Sequence, residues 1–217
     1  MNQDTTSHIH YSVLATAYLA PIEWYSALYR SGHCVIEQHE HYVKQTYRNR
    51  CRILMPDGLQ ELVVPVEKPV AGNCPVCDIR LSNHGNWRHH HWNALRTAYG
   101  KSPFFEYYAH EFHALYHQPC SHLFDFNERL RRLVCSLIDI EPDVEYSSRY
   151  IRILPDSGDS TLRDYRNSIN PRQTAYAVEN FCPRPYYQVF SAPSTFRPNL
   201  SIVDLLFNMG PESILYL

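Results

Sequence analysis

The sequence lacks an excess of either charge. Its 217 residues include 22 Asp and Glu against 20 Lys and Arg, which leaves a formal net charge of -2. A chain with balanced charges has no global field that would attract nucleic acid or an anionic membrane surface. We therefore expect no nucleic acid among its partners, and any electrostatic recognition must be local.

The sequence also lacks a long hydrophobic run. The segment MNQDTTSHIHYSVLATAYLAPIEWY has no basic n-region, and tyrosines interrupt its short apolar stretch. Neither a signal peptide nor a membrane span is therefore predicted. Seven cysteines form an odd and scattered set rather than a disulfide framework. These features predict a cytoplasmic protein with reduced thiols.

Complete cofactor and metal motifs are missing as well. Neither GxGxxG nor an HxGH signature follows the first predicted strand, and Cys74 and Cys77 form a single CxxC that no second pair completes. One face of a predicted helix carries four side chains of metal-ligand type: Glu106, His110, His113 and His117. That face points to solvent, away from ligands on other segments. No metal site is predicted, and the cofactor stays unknown.

Aromatic residues are abundant: 17 tyrosines, nine phenylalanines and three tryptophans, beside 13 histidines. Such rings mostly fill cores, although tyrosine-rich clefts also stack sugars and bases. A chain of this length with 44% hydrophobic residues can bury one ordinary core. We therefore predict one domain over residues 1–217.

The N-terminal part of the chain predicts a strand, a helix and a second strand. Residues 13–19 form a short apolar run, Ile22–Arg30 continues from Pro21 with helical spacing, and His33–Glu37 is apolar again. Such a βαβ unit has parallel strands, and ligands gather at their carboxyl ends. The side chains predicted at that edge are Tyr18, Glu23, Glu37, Gln38, His39, Glu40 and His41.

A dense basic segment, KQTYRNRCRI, leads into a predicted hairpin. Apolar and polar residues alternate from Cys51 onward, PDG supplies a turn, and residues 62–66 return as a strand. If the extended conformation reaches back far enough, three arginines project to one side: Arg48, Arg50 and Arg52. Their mutual repulsion requires anions, which come either from carboxylates of the protein or from a phosphate or carboxylate ligand.

The rest of the chain is mainly helical in pattern. Apolar residues recur three and four apart in four segments: Trp87–Tyr99, 103–117, 123–138 and 199–208. Ser102 would be the N-cap of the second helix, and Ser201 with Asp204 would form a capping box for the fourth. A short strand is predicted over residues 150–154. The predicted fold class is α/β, with an N-terminal βαβ unit and a mixed sheet including the hairpin, packed with central and C-terminal helices.

His91 faces the apolar side of the first of these helices, whereas His89 and His90 point away. An inward histidine beside tryptophans is either a satisfied core residue or a general base. It is the best general-base candidate in the sequence.

Eight stretches together carry a family resemblance: TAYLAPIEWYSALY, EQHEHYVKQTYRNRCRI, VPV, DIRL, NWRHHHWNALRTAYGKSPFFEYY, LFDFN, DYRNSINP and FRPNLSIVDLLFNMGPES. They resemble the WbqC-like proteins of bacteria over most of the chain. The resemblance implies a role in making or decorating a cell-surface glycan such as O-antigen. The activity it implies is transfer of an amino acid or similar acyl group to an amino sugar.

The resemblance carries nine positions over to this chain: Lys44, Gln45, Arg48, Asn49, Arg50, Asp78, His91, Asn199 and Asp204. Cys51 is also a nucleophile candidate, because neighbouring arginines can lower the pKa of a thiol. The family accepts asparagine at the matching position, which argues against that role.

The leading hypothesis is a transferase that uses an activated, phosphate-bearing donor and a small-molecule sugar. Arginines and Lys44 would neutralise the phosphate. His91, oriented by Asp78, would take the proton from the attacking amine. The residues predicted to bind substrate are Tyr18, Glu23, Lys44, Gln45, Arg48, Asn49, Arg50, Tyr107, Asn199 and Asp204, with Tyr18 and Tyr107 stacking the sugar ring.

Two alternatives stay open. The first is nucleotidyl transfer on a Rossmann-like fold, in which phosphates lie at a helix N-terminus, although Glu23 stands at that helix start. The second is a non-catalytic protein that binds a glycan precursor or a partner enzyme. A deep pocket shared by His91, Asp78 and the arginines favours catalysis, and a flat aromatic face favours binding. No oligomeric state is predicted.

Overall fold

The computed structural model describes residues 11–68, 72–153, 161–191 and 195–217. These residues form a parallel sheet, a separate antiparallel hairpin and five α-helices, so the predicted α/β class is confirmed. No helix within the described ranges has the length and apolar character needed to cross a membrane.

The N-terminal βαβ unit is confirmed. Strand β1 (Tyr11–Ala15), helix α1 (Ile22–Arg30) and strand β2 (His33–Glu37) follow one another, and β1 pairs with β2 in parallel. The first strand was predicted to reach residue 19 but ends at Ala15. The residues beyond it are apolar because they are buried in the core, and Leu19 has a left-handed φ of 41° that no strand contains.

Two short strands complete the parallel sheet. Strand β5 (Val144–Tyr146) pairs with β2, and strand β6 (Leu162–Asp164) pairs with β1, which gives the order β5-β2-β1-β6. Counted along the chain, the four parallel strands therefore have the order 3-2-1-4. This is the order of the first four strands of a six-stranded dinucleotide-binding sheet, in which the connections change direction between the first and fourth strands.

The prediction of a strand over residues 150–154 is wrong for residues 150–153, which the structure describes. Residues 150–153 form no strand, and Leu154 lies outside the described residues. The predicted hairpin is present as β3 (Arg50–Met55) and β4 (Gly58–Val63), and it forms a two-stranded sheet of its own. Its arginine alternation therefore begins at Arg50, and Arg48 precedes the strand.

The four further helices are α2 (Trp87–Tyr99), α3 (Phe105–His117), α4 (Leu123–Leu137) and α5 (Ile202–Met209). They pack against one another, and α2 and α5 also contact strand β3 of the hairpin. The N-cap predicted at Ser102 is wrong, because Phe104 occupies the N-cap of α3. Ser201 does occupy the N-cap of α5, but its hydroxyl donates to the Leu19 carbonyl oxygen at 2.7 Å and makes no capping hydrogen bond.

Aromatic rings dominate the core. Buried residues from the sheet, the hairpin and the helices form one hydrophobic cluster. Its largest side chains with almost no exposed surface are Tyr18, Tyr25, Tyr99, Phe112, Tyr116, Phe126 and Phe207. Most of the rings thus stabilise the fold, which leaves a small number exposed for recognition.

Candidate active site at the carboxyl edge of the parallel sheet

The carboxyl ends of the parallel strands bring buried charges together. Glu37, the last residue of β2, has no exposed surface. Its carboxylate accepts hydrogen bonds from the Ser147 hydroxyl at 2.6 Å and from the backbone amides of Ile151 at 2.7 Å and His39 at 2.8 Å. A buried carboxylate is tolerated because these donors replace its hydration.

Arg166, just after β6, is the cation of this edge. Its Nη1 lies 3.4 Å from Glu37, and its Nε and Nη2 donate to the two oxygens of Asp164 at 2.9 and 2.7 Å. Nη1 also donates to the Ile151 carbonyl oxygen at 2.8 Å. The guanidinium carbon lies 5.3 Å from the ring centre of Tyr150. Arg166 therefore fixes this exposed ring while tying together three segments of chain.

A second buried pair lies beside the first. Arg48 donates to both oxygens of Glu40 at 2.8 and 2.6 Å, and its Nη2 reaches the Arg166 carbonyl oxygen at 3.2 Å. Asn127 of α4 donates to the Arg48 carbonyl oxygen at 2.9 Å. Burial raises the pKa of Glu40, while the hydrogen bonds and charge of Arg48 act in the opposite direction. The pair makes a rigid floor for the sheet edge.

An open cavity of about 420 Å³ lies over this floor. Its wall residues are His39, Glu40, His41, Val43, Tyr150 and Asn167. The wall thus presents two imidazoles, an amide and a tyrosine ring with 55% of its surface exposed. Imidazoles exchange protons near neutral pH, and an exposed tyrosine face can stack on a sugar ring. We name this space the sheet-edge cavity.

His91 lies in the aromatic core. It is 6% exposed, its Nδ1 is 2.8 Å from the Tyr18 hydroxyl, and that hydroxyl also hydrogen-bonds the Tyr116 hydroxyl. Burial lowers the pKa of His91 to about 4, against a hydrogen bond with the Val63 backbone that raises it. His91 is therefore uncharged at neutral pH, and Tyr18 presents no ring face to solvent.

The other partners predicted for His91 lie elsewhere. Asp78 is exposed and accepts a hydrogen bond from the Cys77 thiol, and no hydrogen bond joins it to His91 among the described residues. Tyr107 is 75% exposed on α3, with its ring 6.2 Å from that of Phe104. The predicted catalytic set is thus not brought together.

The arginines of the basic segment all contact carboxylates of the protein. Arg48 pairs with Glu40, while Arg50 and Arg52 of β3 share Glu61 of β4 at 2.9 and 3.0 Å. The sequence left open whether protein carboxylates or a bound ligand neutralise these arginines. In the described contacts, carboxylates of the protein do so.

The remaining polar residues of the segment have different surroundings. Lys44 and Gln45 are exposed, and Gln45 accepts a hydrogen bond from Arg172. Asn49 is buried and donates to the Val64 carbonyl oxygen at 2.9 Å, where it holds the end of the hairpin. Cys51 is buried at 1% exposure, and burial raises the pKa of its thiol, which opposes a role as nucleophile.

The N-terminus of α1 is occupied by the protein itself. The buried carboxylate of Glu23 accepts hydrogen bonds from the backbone amides of Ala177 and Val178 and from the side chains of Gln173 and Asn199. Asn199 returns the contact by accepting from the Glu23 amide at 2.9 Å. A carboxylate thus fills the place where a nucleotide-binding fold would hold phosphate.

Asp204 is also internal. It accepts hydrogen bonds from the Tyr186 hydroxyl at 2.6 Å and from Gln188 at 2.9 Å. Burial raises the pKa of this carboxyl to about 6, although those hydrogen bonds lower it. Asp204 therefore anchors the segment before α5.

Residues 37–41 were predicted to lie at the sheet edge, whereas Arg166, Asp164 and Tyr150 were not predicted as site residues. The available signal was the polar stretch DYRNSINP, which begins at Asp164, the last residue of β6. Among the described residues, no group of three or more His, Cys, Asp or Glu side chains is arranged to hold a metal ion.

Comparison with known proteins identifies relatives by sequence. A model of the WbqC-like protein family matches residues 16–172. The chain is 28% identical to uncharacterized protein Rv1507c of Mycobacterium tuberculosis over 206 residues, which cover 84% of this chain and 86% of the relative. No solved structure matches.

Proposed function

The chain belongs to the WbqC-like protein family, and from this premise we propose that it is a transferase of surface-polysaccharide biosynthesis whose active site is the sheet-edge cavity. It moves an acyl or aminoacyl group from an activated, phosphate-bearing donor to the amine of an amino sugar. The family supports the polysaccharide context, and the single observation that carries the proposal is the cavity with two imidazoles beside a fixed tyrosine ring.

The acceptor sugar stacks on Tyr150. This ring is exposed on one side and backed by the Arg166 guanidinium, whose own hydrogen bonds to Asp164 and Ile151 hold it in place. A ring that is already fixed loses little conformational entropy when a ligand packs on it. Asn167 offers an amide to the sugar hydroxyls.

His39 or His41 is the general base. The amine nitrogen forms a bond to the acyl carbon, the bond from that carbon to the leaving group breaks, and the imidazole takes the amine proton. Positioned general bases contribute about 10²- to 10⁴-fold to such steps. Lys44, exposed and next to the wall residue Val43, is available to the donor phosphate.

Saturation-transfer NMR with glucosamine tests the acceptor site. Tyr150→Ala should abolish the signal, because the stacking face is lost. The matched control is Tyr107→Ala, which removes a more exposed tyrosine on α3. Loss of the signal in Tyr107→Ala with an unchanged signal in Tyr150→Ala would contradict the sheet-edge cavity and favour the position first predicted for the sugar.

A transfer assay tests the base. With acetyl-coenzyme A as donor and glucosamine as acceptor, release of free thiol should fall at least 100-fold in the double variant of His39→Gln and His41→Gln. His89→Gln, on the exposed face of α2, is the control. Glucosamine binding without transfer in the unaltered protein would instead favour the non-catalytic binding alternative.

Nucleotidyl transfer is the second candidate, and the 3-2-1-4 strand order favours it. The Glu23 carboxylate at the N-terminus of α1 opposes it, since it repels phosphate where such folds bind it. A rise in melting temperature with millimolar ATP or CTP, absent with adenosine or cytidine, would revive this candidate.

A further inference from the structure

A second cavity, of about 450 Å³, lies where α2, α4 and the loop between α3 and α4 meet. Three arginines from separate segments line it: Arg80, Arg88 and Arg129. It shares no lining residue with the sheet-edge cavity. The charges around it can therefore be considered on their own.

Arg88 is held in place by a carbonyl oxygen and two aromatic rings, with no carboxylate partner among the described residues. Its Nη2 donates to the Cys120 carbonyl oxygen at 3.0 Å, and its guanidinium carbon lies 4.7 Å from the centre of the Trp87 ring and 5.0 Å from that of Phe126. Its Nη1 is buried and has no hydrogen-bond partner among the described residues. A fixed, incompletely bonded guanidinium is suited to an anion.

Arg129 lines the same cavity, and its positive charge is likewise not paired with a carboxylate in the described structure. Its Nη1 donates to the Pro119 carbonyl oxygen at 2.9 Å, next to the carbonyl that Arg88 uses. Burial lowers the pKa of Arg88, electrostatic interactions with Cys120 and Tyr116 oppose that shift, and the like charge of Arg129 adds to it. Within the described ranges, neither arginine forms an ion pair with a carboxylate. Two neighbouring cations thus line one cavity, and within the described part of the chain neither pairs with a carboxylate.

The two carboxylates on the cavity wall have other neighbours. Glu67 lies 3.5 Å from Arg80, and Asp125 lies 3.9 Å from His122. Arg80 is therefore paired with Glu67, and Arg88 and Arg129 are the two cavity arginines that form no ion pair among the described residues. The wall also offers a hydroxyl at Ser121.

We propose that this cavity binds a small oxyanion, a phosphate group either free or carried by a sugar, between the guanidinium groups of Arg88 and Arg129. Its volume accommodates a phosphorylated monosaccharide and lies in the range of small-molecule sites. The site rests on its own contacts and does not depend on the activity proposed for the sheet-edge cavity.

Calorimetric titration with inorganic phosphate, at constant ionic strength, tests the site. The unaltered protein should bind in a saturable way, and Arg88→Met and Arg129→Met should each weaken binding about 10- to 100-fold, because each removes charge-assisted hydrogen bonds. Arg132→Met is the matched control, since Arg132 lies on the same helix but contacts Tyr146. Arg129 is exposed, so its variant tests the site even if Arg88→Met fails to fold.

Parallel titrations with glucose 1-phosphate and glucose distinguish the sources of the phosphate. Equal affinity for both phosphates supports a site for the phosphate group itself, and tighter binding of glucose 1-phosphate supports a phosphorylated sugar. The proposal is overturned if 10 mM phosphate and glucose 1-phosphate both fail to bind, if glucose binds as tightly as either, or if Arg132→Met weakens binding as much as Arg129→Met.

Discussion

The arginines of the sheet edge and those of the second cavity differ in whether they pair with carboxylates. At the sheet edge, Arg48 and Arg166 are nearly fully buried, and each contacts carboxylates. In the second cavity, Arg88 and Arg129 donate hydrogen bonds to backbone carbonyls, and neither contacts a carboxylate among the residues that the structure describes. The density of positive charge in the sequence is therefore a poor guide to ligand binding. What matters is whether the fold has already supplied the anion.

The largest expected effect comes from removing an arginine that is paired with a buried carboxylate at the sheet edge. Arg48→Met should lower the free energy of unfolding by about 3–5 kcal/mol, because Glu40 is left buried without its partner. Loss of Arg48 also raises the pKa of Glu40 further. When the pKa of a carboxyl is higher in the folded than in the unfolded protein, the folded protein becomes less stable as pH rises. The loss of unfolding free energy in Arg48→Met should therefore be larger at pH 8 than at pH 5.

Urea unfolding at the two pH values measures this effect. Adding Glu40→Gln to the Arg48→Met variant should recover part of the loss and remove the extra pH dependence. A deficit below 1 kcal/mol at both pH values would mean that the pair is not desolvated.

His91 adds a third case to the comparison of buried cations. It contacts the same Trp87 ring as Arg88 but is uncharged at neutral pH. Its pKa is lowered to about 4 in the folded protein. Unfolded chains bind a proton below about pH 6.5, whereas the folded protein does not do so until about pH 4. The contribution of His91 to stability is thus present above pH 6.5 and is lost as pH falls toward 4, by about 3 kcal/mol in total.

Comparison of the unaltered protein with His91→Gln isolates that contribution. The variant should be less stable at pH 7, and its deficit should shrink by about 2 kcal/mol at pH 4.5, since glutamine does not titrate. His89→Gln, which removes an exposed imidazole from the same helix, is the control variant. Equal deficits at both pH values would mean that His91 is accessible to protons in the folded state.

The smallest effect belongs to the exposed pairs of the hairpin. Glu61→Gln should change the free energy of unfolding by less than about 1 kcal/mol, because Arg50, Arg52 and Glu61 are partly solvated. Added salt at 0.5 M should reduce the difference further. A loss above 2 kcal/mol in urea unfolding that does not depend on salt would mean that Arg50 and Arg52 behave energetically like the buried arginines of the sheet edge.

Strongly periodic segments were predictable from the sequence, and short ones were not. The bounds of β2 and α2 follow from their apolar patterns, which need no knowledge of neighbouring elements. Strands β5 and β6 contain three residues each, too few to show alternation. They are strands because β2 and β1 offer open edges, which only the assembled fold determines.

The same limit explains the candidate site. Residues 37–41 could be placed at the carboxyl edge because the βαβ pattern fixes where β2 ends. Arg166 and Tyr150 could not, since the short strands beside them were not recognised. The inward face of His91 was predicted, but its hydroxyl partner Tyr18 lies 73 positions away in the chain, and single-sequence patterns do not reveal such pairs.

The central position of β1 affects how the protein is synthesised. Its two neighbours, β2 and β6, are separated by more than a hundred residues of chain. During translation, β1 therefore keeps one edge unpaired until Asp164 has left the ribosome. Contacts between such distant segments slow folding, and an open apolar edge can pair with another nascent chain. Expression at lower temperature or with chaperones that cover this edge should therefore raise the yield of folded protein.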